Sequence, residues 1–463
     1  MTLHTRAITP SPGLPDLQRL YPARYPHLLQ SVAHGRYDIL FACPGDSLVL
    51  QQDGTLLQPD GNPAAGGEFL SVLDAWWQAG DGDDAAGDLP FAGGWFLYLG
   101  YELAGQIEPT LQLSHTDPLL PVAFATRFTA ALLRDRDSGD VTLVAEPDGA
   151  AHIDTILADI EDLATAGNPV RQPVNALEIA EQADSVYLDA VRRIKDYIVE
   201  GDVFQVNLSR AWDIRLDRIA DPHTLYENLC YHNPAPFSGL AHWQDTAIVS
   251  SSPERLVSVR NGMAETRPIA GTRPRSRSTR ADTAFSEELL AHPKERAEHI
   301  MLIDLERNDL GRLCVPGSIE VNEFMVLESY AHVHHIVSNV RGRLREAITP
   351  GEVLRAVFPG GTITGCPKVR CMEIINELEQ RPRGAYTGSM GYLNRNGDCD
   401  LNILIRTMQV RGRHVEIAAG SGIVADSLPQ RELEETRAKA KGLLLALQAG
   451  ELQQPGLAAG NGA

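Results

Sequence analysis

The chain is short of positive charge. Its 463 residues carry 41 Lys and Arg against 61 Asp and Glu, a formal net charge of −20. That deficit argues against a nucleic-acid or anionic-membrane surface. An anionic ligand would need local help from a metal ion, arginines or helix ends. No C-x-x-C occurs among Cys43, Cys230, Cys314, Cys366, Cys371 and Cys399, and their spacing outlines neither a zinc site nor a disulfide framework. No apolar run is long enough to span a bilayer. Met1–Pro15 lacks the charged-then-apolar layout of a targeting segment, and no internal repeat is visible. These absences lead to the expectation of a cytoplasmic protein.

What the chain does have is core. Hydrophobic residues make up 43%, and the length allows two or three average domains or one large intertwined one. Residues 1–170 read as an α/β region that packs with the rest, 180–450 as a second region, and 451–463 as a disordered tail. The pattern YDILFACPGDSLVLQQDG and the pair FATRFTAALL and VTLVAEP read as hairpins. Helices are expected at Asp184–Glu200, Pro222–Tyr231, Pro350–Val357, Lys368–Glu379 and from about Glu432. Mostly antiparallel strand patterns with interspersed helices predict an α+β fold.

The most informative run is Ile417–Lys439. It reads as a strand, a glycine loop (Gly420, Ser421, Gly422) whose amides can approach a ligand, and a helix with Ser427 at its start. Glu432 and Glu435 stand three apart on that helix, hence on one face. Glu295 and Glu298 repeat the spacing after Pro293. Either pair alone is explained by complementing a helix dipole. Together they suit a hard cation such as Mg²⁺. The stretch PIAGTRPRSRSTRADT holds Arg273, Arg275, Arg277 and Arg280 and reads as a solvated loop or a lid over an anion. His332, His334 and His335 form an HxHH cluster, whose default reading is a satisfied buried histidine.

Several segments resemble one family in order. They are GDVFQVNLSR, SSPERLVSV, RPIAGTRPR, KERAEHIMLIDLERNDLGR, HHIVSNVRG, FPGGTITGCPKVRCMEIINELE, AYTGSMGY, LNILIRT and GSGIVADSLPQRELEETRAKA. The family is the chorismate-utilising enzymes: anthranilate and aminodeoxychorismate synthases, with isochorismate and salicylate synthases as relatives. The resemblance implies two large facing antiparallel β-sheets flanked by helices, with 180–450 as the chorismate-binding region. It implies Mg²⁺ on Glu298 and Glu435, with Glu295 and Glu432 close by. It assigns Arg406 and Tyr386 to the enolpyruvyl carboxylate, Gly420, Ser421 and Gly422 to backbone contacts, and Lys439 to a further positive charge. Thr362 would hydrogen-bond the substrate, Glu254 would protonate the departing C4 hydroxyl, and His335 would sit near it.

Within the family, Gln205 replaces the lysine that water-using relatives carry as a base, which favours ammonia as the nucleophile. Ala270 stands where many aminodeoxychorismate synthases carry a lysine, and so resembles anthranilate synthase. Gly360 and Thr364 resemble the aminodeoxychorismate group. PHLLQSVAHGRYDIL resembles an effector-pocket segment in which Gln30 replaces an acid and Ser31 remains. The expected activity is that of an aminodeoxychorismate synthase component I, with anthranilate synthase component I as the alternative and isochorismate synthase disfavoured. An inactive homologue acting as a binding subunit is the reading from outside catalysis; four acids and Arg406 kept together argue against it. No G-x-C-x-G elbow is present, so a separate glutamine amidotransferase subunit is expected to supply ammonia.

Overall fold

The computed structural model describes residues 3–447 apart from 34, 65–66, 81–86, 114–115, 118, 167–172, 275–288, 290, 292 and 330–332. The expected tail, Arg275, Arg277, Arg280 and His332 lie outside the described residues.

Every strand pairing is antiparallel, and two arms of strands diverge from Ala123–Asp135. One edge of that strand carries Tyr37–Leu50; the other carries Gly94–Leu99 and then Val141–Ala145. The first arm continues through His27–Gln30, Phe237–Trp243, Thr246–Ser252, Thr407–Arg411 and His414–Ile423 to Gln205–Leu216. The second runs from Gly94–Leu99 through Ser389–Asn394, Cys399–Asn402, Arg255–Arg260 and Met263–Arg267 to Val333–Arg343. These arms are the facing sheets. Phe41, Ala241 and Ile248 of the first share a core with Phe96 and Met390 of the second. A Cβ on Gly239 would come within 2.5 Å of Met390 Cε, so the inner faces meet closely there.

Helices cover the outer faces, as the apolar stripes on one side of each require. Leu14–Leu20, Ile153–Thr165, Pro222–His232 and Pro429–Ala446 bury theirs against the first arm. Phe69–Gln78, Pro293–Gly311 and Pro350–Val357 do so against the second. Asp184–Glu200 and Lys368–Glu379 close over Gln205–Leu216. Gly201 ends the first of these at φ 86°, a left-handed C-terminus that suits glycine.

Three local expectations need correction. Gly420 and Gly422 lie within a continuous strand, His414–Ile423, and not in a loop; they pair with Ser209 and Asn207. The last helix begins at Pro429 behind Leu428, and Ser427 instead accepts a hydrogen bond from the Val424 amide at 3.1 Å, closing the preceding turn. PIAGTRP opens as a strand, Ile269–Pro274, because its backbone pairs with Val333–Val337.

Candidate active site

Arg406 is the centre of the site. It sits at φ 54°, a left-handed conformation that a bulky residue rarely adopts, next to the equally unusual Thr387 at 62°. The two bends are tied together: the Thr387 amide donates to Leu404 O at 2.8 Å, and the Ser251 amide donates to Arg406 O at 3.2 Å. Arg406 is half-buried, yet its guanidinium lies deep enough that desolvation lowers its pKa. Tyr386, Glu254 and Glu435 oppose that shift through their charges. Among the described residues no ion pair or hydrogen bond reaches the guanidinium. A cation this deep without a partner is costly unless a ligand completes it.

Glu254 precedes the strand Arg255–Arg260 and is only 5% exposed. Burial pushes its pKa up to about 7 against the pull of Thr362, the Ile269 backbone, Arg406 and Lys439. Thr362 lies in the short turn Gly361–Ile363. Its hydroxyl acts on Glu254 without making a well-formed hydrogen bond, for Glu254 Oε1 and Thr362 Oγ1 are both buried without a partner. Gln205 Oε1 and Asn207 Oδ1 are in the same condition. Such atoms are rare in folded proteins and mark where a bound group would donate or accept.

The glycines shape the wall. A Cβ on Gly420 would stand 2.7 Å from Leu208 O and 2.9 Å from the Tyr386 hydroxyl; one on Gly422 would stand 2.1 Å from Gln205 Nε2. Ser421, fully buried, shares a hydrogen bond of 2.8 Å between its hydroxyl and that of Tyr187. Strand pairing on the other edge stops at Ile417, and there Lys439 Nζ donates to the Gly420 carbonyl at 2.9 Å. Tyr386 is buried; desolvation raises its pKa to about 12, so the phenol stays protonated.

His335 lies on Val333–Arg343, directly across from Thr272. Burial, and then the charge of Arg406, lower its pKa to about 4 despite a hydrogen bond with the Gly271 backbone, so the imidazole is neutral near pH 7. His334 Nδ1 is 2.8 Å from the Ser329 hydroxyl. Ala270 occupies the same strand as Gly271, opposite Ile336; its side chain lies outside the described part.

Glu295 reaches this strand from the Pro293–Gly311 helix: a Cβ on Gly271 would be 2.9 Å from its Oε2. Glu298 follows one turn on and is half-buried. On the Pro429–Ala446 helix, Glu432 is 7% exposed and the Glu435 carboxylate is 2.6 Å from Lys439 Nζ. Glu435 acts on Arg406, and Arg406 on His335, so the last helix borders the charge cluster that holds His335. Among the described residues, the trio of potential ligand atoms gathered within 4.8 Å is Asp213, His414 and Glu416, away from this cluster. The four glutamates therefore do not form a closed carboxylate cage. A Mg²⁺ ion that keeps several waters requires only one or two of them.

The family described as chorismate binding enzyme matches residues 47–445. The chain belongs to this family. Aminodeoxychorismate synthase component 1 of Bacillus subtilis is 38% identical over 449 residues, covering 95% of each chain. Anthranilate synthase component 1 of Pseudomonas aeruginosa is 40% identical over 384 residues, covering 78% of this chain and 76% of its own. The crystal structure of anthranilate synthase component I from Streptococcus pneumoniae superposes with a TM-score of 0.79 at 31% identity, covering 89% of this chain and 93% of that one. Among the described residues no helix is long and apolar enough to cross a membrane.

In this chorismate binding enzyme, sequence reasoning passed over Tyr187, which anchors Ser421, and the buried pair Arg383–Glu379, joined at 2.6 Å. Arg383 also donates to Asn207 O at 2.8 Å and Ile363 O at 3.1 Å, tying the Thr362 turn to the glycine-facing strand. The segment flagged for its resemblance to an effector pocket lines a cavity of about 320 Å³ with Gln30, Ser31, Phe237, Arg255 and Met390. Gln30 bridges Asp38 and the Tyr226 hydroxyl there, each at 3.0 Å.

Proposed function

We propose that the protein is an aminodeoxychorismate synthase component I. It replaces the C4 hydroxyl of chorismate with ammonia to give 4-amino-4-deoxychorismate and water. The observation carrying this reading is Arg406, without a partner among the described residues, beside Glu254, a buried carboxyl that holds its proton near neutrality. An Arg fork suits a planar carboxylate, and a carboxyl with a pKa near the working pH suits the protonation of a leaving hydroxyl. Gln205, which is not a base, supports ammonia over water. The similarity to the Bacillus subtilis protein, covering 95% of both chains, supports the aminodeoxychorismate product.

Arg406 and Tyr386 would receive the enolpyruvyl carboxylate, with Gly420, Ser421, Gly422 and Lys439 along the adjoining wall. Thr362 and Glu254 would face the C4 hydroxyl, with neutral His335 close to it. Glu298 and Glu435 would hold Mg²⁺, with Glu295 and Glu432 nearby; when bound, the ion neutralises the ring carboxylate. Ammonia would come from a separate glutamine amidotransferase subunit.

The second reading is anthranilate synthase component I. Ala270 in place of a lysine favours it, as do the matches to anthranilate synthases. Mass analysis of the product from chorismate, Mg²⁺ and ammonium decides. Aminodeoxychorismate retains its enolpyruvyl arm, whereas anthranilate appears with free pyruvate. Stoichiometric pyruvate would sink the first reading, and turnover with glutamine by the lone chain would remove the need for a partner.

A further inference from the structure

The turn that carries Tyr386 is held from the N-terminal region. Gly94–Leu99 and Ser389–Asn394 pair with Leu99 directly opposite Ser389. Residues 100–102 and 383–388 therefore leave the two strands at the same end. Their backbones touch: the Tyr101 amide donates to Gly384 O at 2.9 Å, and no Cβ would fit on Gly388 against Leu99 O. Glu102 then closes a clasp. Its Oε1 accepts from the Arg383 amide at 2.8 Å, and its Oε2 from the Gly384 amide at 3.1 Å. Burial pushes the Glu102 pKa up to about 7, and these two amides pull against it.

Every amide from Arg383 to Gly388 has an acceptor, as a buried backbone requires. Glu102 takes the first two. Gln409 Oε1 takes that of Ala385, and Arg383 O takes that of Tyr386, each at 2.9 Å. Leu404 O takes that of Thr387, and Ala385 O that of Gly388. Glu102 is the one carboxylate among these acceptors, and bonds to an ionised acceptor are roughly twice as strong as neutral ones. Gly384 sits at φ 56° with Asp117 Oδ2 where a Cβ would stand, so the turn admits no side chain there. Because the Tyr386 amide is bonded to the Arg383 carbonyl, a shift of Arg383 is passed on to Tyr386. The Arg383 guanidinium lies 4.9 Å from the Tyr101 ring centroid and 5.6 Å from that of Tyr386. The Tyr386 hydroxyl reaches the glycine wall, 2.9 Å from where a Cβ on Gly420 would stand.

We propose that Glu102 is a positioning residue for the substrate: its two amide bonds fix the 383–388 turn so that the Tyr386 hydroxyl meets the enolpyruvyl carboxylate of chorismate. The inference rests on the proposed placement of chorismate at Arg406 and Tyr386, deepens it, and holds for either product. No bond forms or breaks at Glu102. It acts through Tyr386 on a part of the substrate remote from the departing hydroxyl. Such binding is equal in the ground and transition states, so its loss raises KM and spares kcat.

The test is a double-mutant cycle on KM for chorismate at pH 8, with Mg²⁺ and ammonium in excess. Glu102→Gln keeps one acceptor oxygen and turns an NH₂ toward the other amide. It should raise KM about fivefold, the worth of one hydrogen bond, with kcat changed by less than about twofold. Tyr386→Phe deletes the hydroxyl and should raise KM about tenfold. In the Tyr386→Phe background Glu102→Gln should leave KM where it is, because no hydroxyl remains to be positioned. Effects that multiply overturn the proposal, and so does an unchanged KM in Glu102→Gln alone. A merely structural role would lower kcat and melting temperature, and would do so in both backgrounds. If Glu102→Gln does not fold, Glu102→Asp keeps both oxygens one methylene further back. Its smaller rise in KM should vanish in Tyr386→Phe, and a rise that persists there overturns the proposal. Amide exchange read by mass spectrometry tests the clasp without substrate. Peptides covering 383–388 should exchange about fivefold faster in Glu102→Gln, and unaltered exchange overturns the proposal. A wild type that leaves chorismate untouched refutes the functional reading and the role of Tyr386 with it. Turnover of chorismate with multiplying KM effects refutes this inference alone.

Discussion

Lys439 donates from Nζ to the carbonyl oxygen of Gly420 at 2.9 Å. The bond joins the last helix to the open edge of the His414–Ile423 strand, and the same ammonium sits 2.6 Å from Glu435. The ion pair is partly exposed, so its own contribution to stability is small. Its consequence is positional: it holds Glu435 and the glycine wall in one register. Lys439→Met should therefore raise KM for chorismate by about tenfold, with little change in melting temperature. Steady-state kinetics beside a thermal melt check this, and a large fall in Tm with KM unchanged contradicts it.

Gly422 leaves room for the amide of Gln205. An added Cβ would stand 2.1 Å from Nε2, which must then move. Gln205 is a side chain and can swing, so the fold should survive Gly422→Ala. At Gly420 the obstacle is Leu208 O on the paired strand, 2.7 Å away, which cannot swing. Gly420→Ala should cost about 1–3 kcal/mol in stability, and Gly422→Ala less than about 1 kcal/mol. Both should depress ammonia-dependent turnover at least tenfold. Urea unfolding and initial rates separate the two, and equal stabilities would refute the distinction.

Much of this was legible in the sequence because the signals were local. Asp184–Glu200 ended at a glycine that takes the left-handed conformation, and Pro350–Val357 began behind Thr349, which forms a capping box with Glu352 of the helix's first turn. The misreadings came where long-range pairing outweighs local chemistry. Gly420–Gly422 looks like a loop, and only the strand 205–216 beside it makes it a strand. Ser427 looks like a helix cap, but the turn back to Val424 claims its hydroxyl. The buried groups around the site were the least legible. Asp309 and Lys368 meet across 59 residues of sequence, and no periodicity announces a pair formed by two helices that pack together in space.

Glu254 makes the protein less stable as the pH rises. Its folded pKa is about 7 against an ordinary value of 4.5. Below pH 4.5 both folded and unfolded chains carry the proton, and the group costs nothing. Between pH 4.5 and 7 the unfolded chain ionises and the folded one resists, so stability falls with rising pH and levels off above pH 7. Glu254→Gln removes the ionisation and should be more stable than the wild type at pH 8, by something on the order of 3 kcal/mol. At pH 4 the two proteins should melt alike. The variant should at the same time lose chorismate turnover. A wild type more stable than the variant at pH 8 would show that Glu254 ionises freely in the folded protein.

Arg406 sets binding against stability most directly. Its guanidinium has no protein partner among the described residues, desolvation lowers its pKa, and its backbone sits at φ 54°. Removing one member of a satisfied buried ion pair is strongly destabilising, but here no pair exists to break. Arg406→Met keeps the side-chain length, leaves the backbone strain as it was and deletes only the charge. The apo protein should therefore keep its stability within about 1 kcal/mol or gain slightly. Chorismate binding should weaken by at least a hundredfold if the proposed contact of Arg406 with the enolpyruvyl carboxylate is made, since such a charge-assisted contact is strong in a desolvated site. Calorimetric titration of chorismate and a thermal melt on the same preparation read both effects. Unchanged affinity would remove Arg406 from the binding site. A collapse in stability would mean that the guanidinium already has a protein partner and that the charge belongs to the fold, not to the ligand.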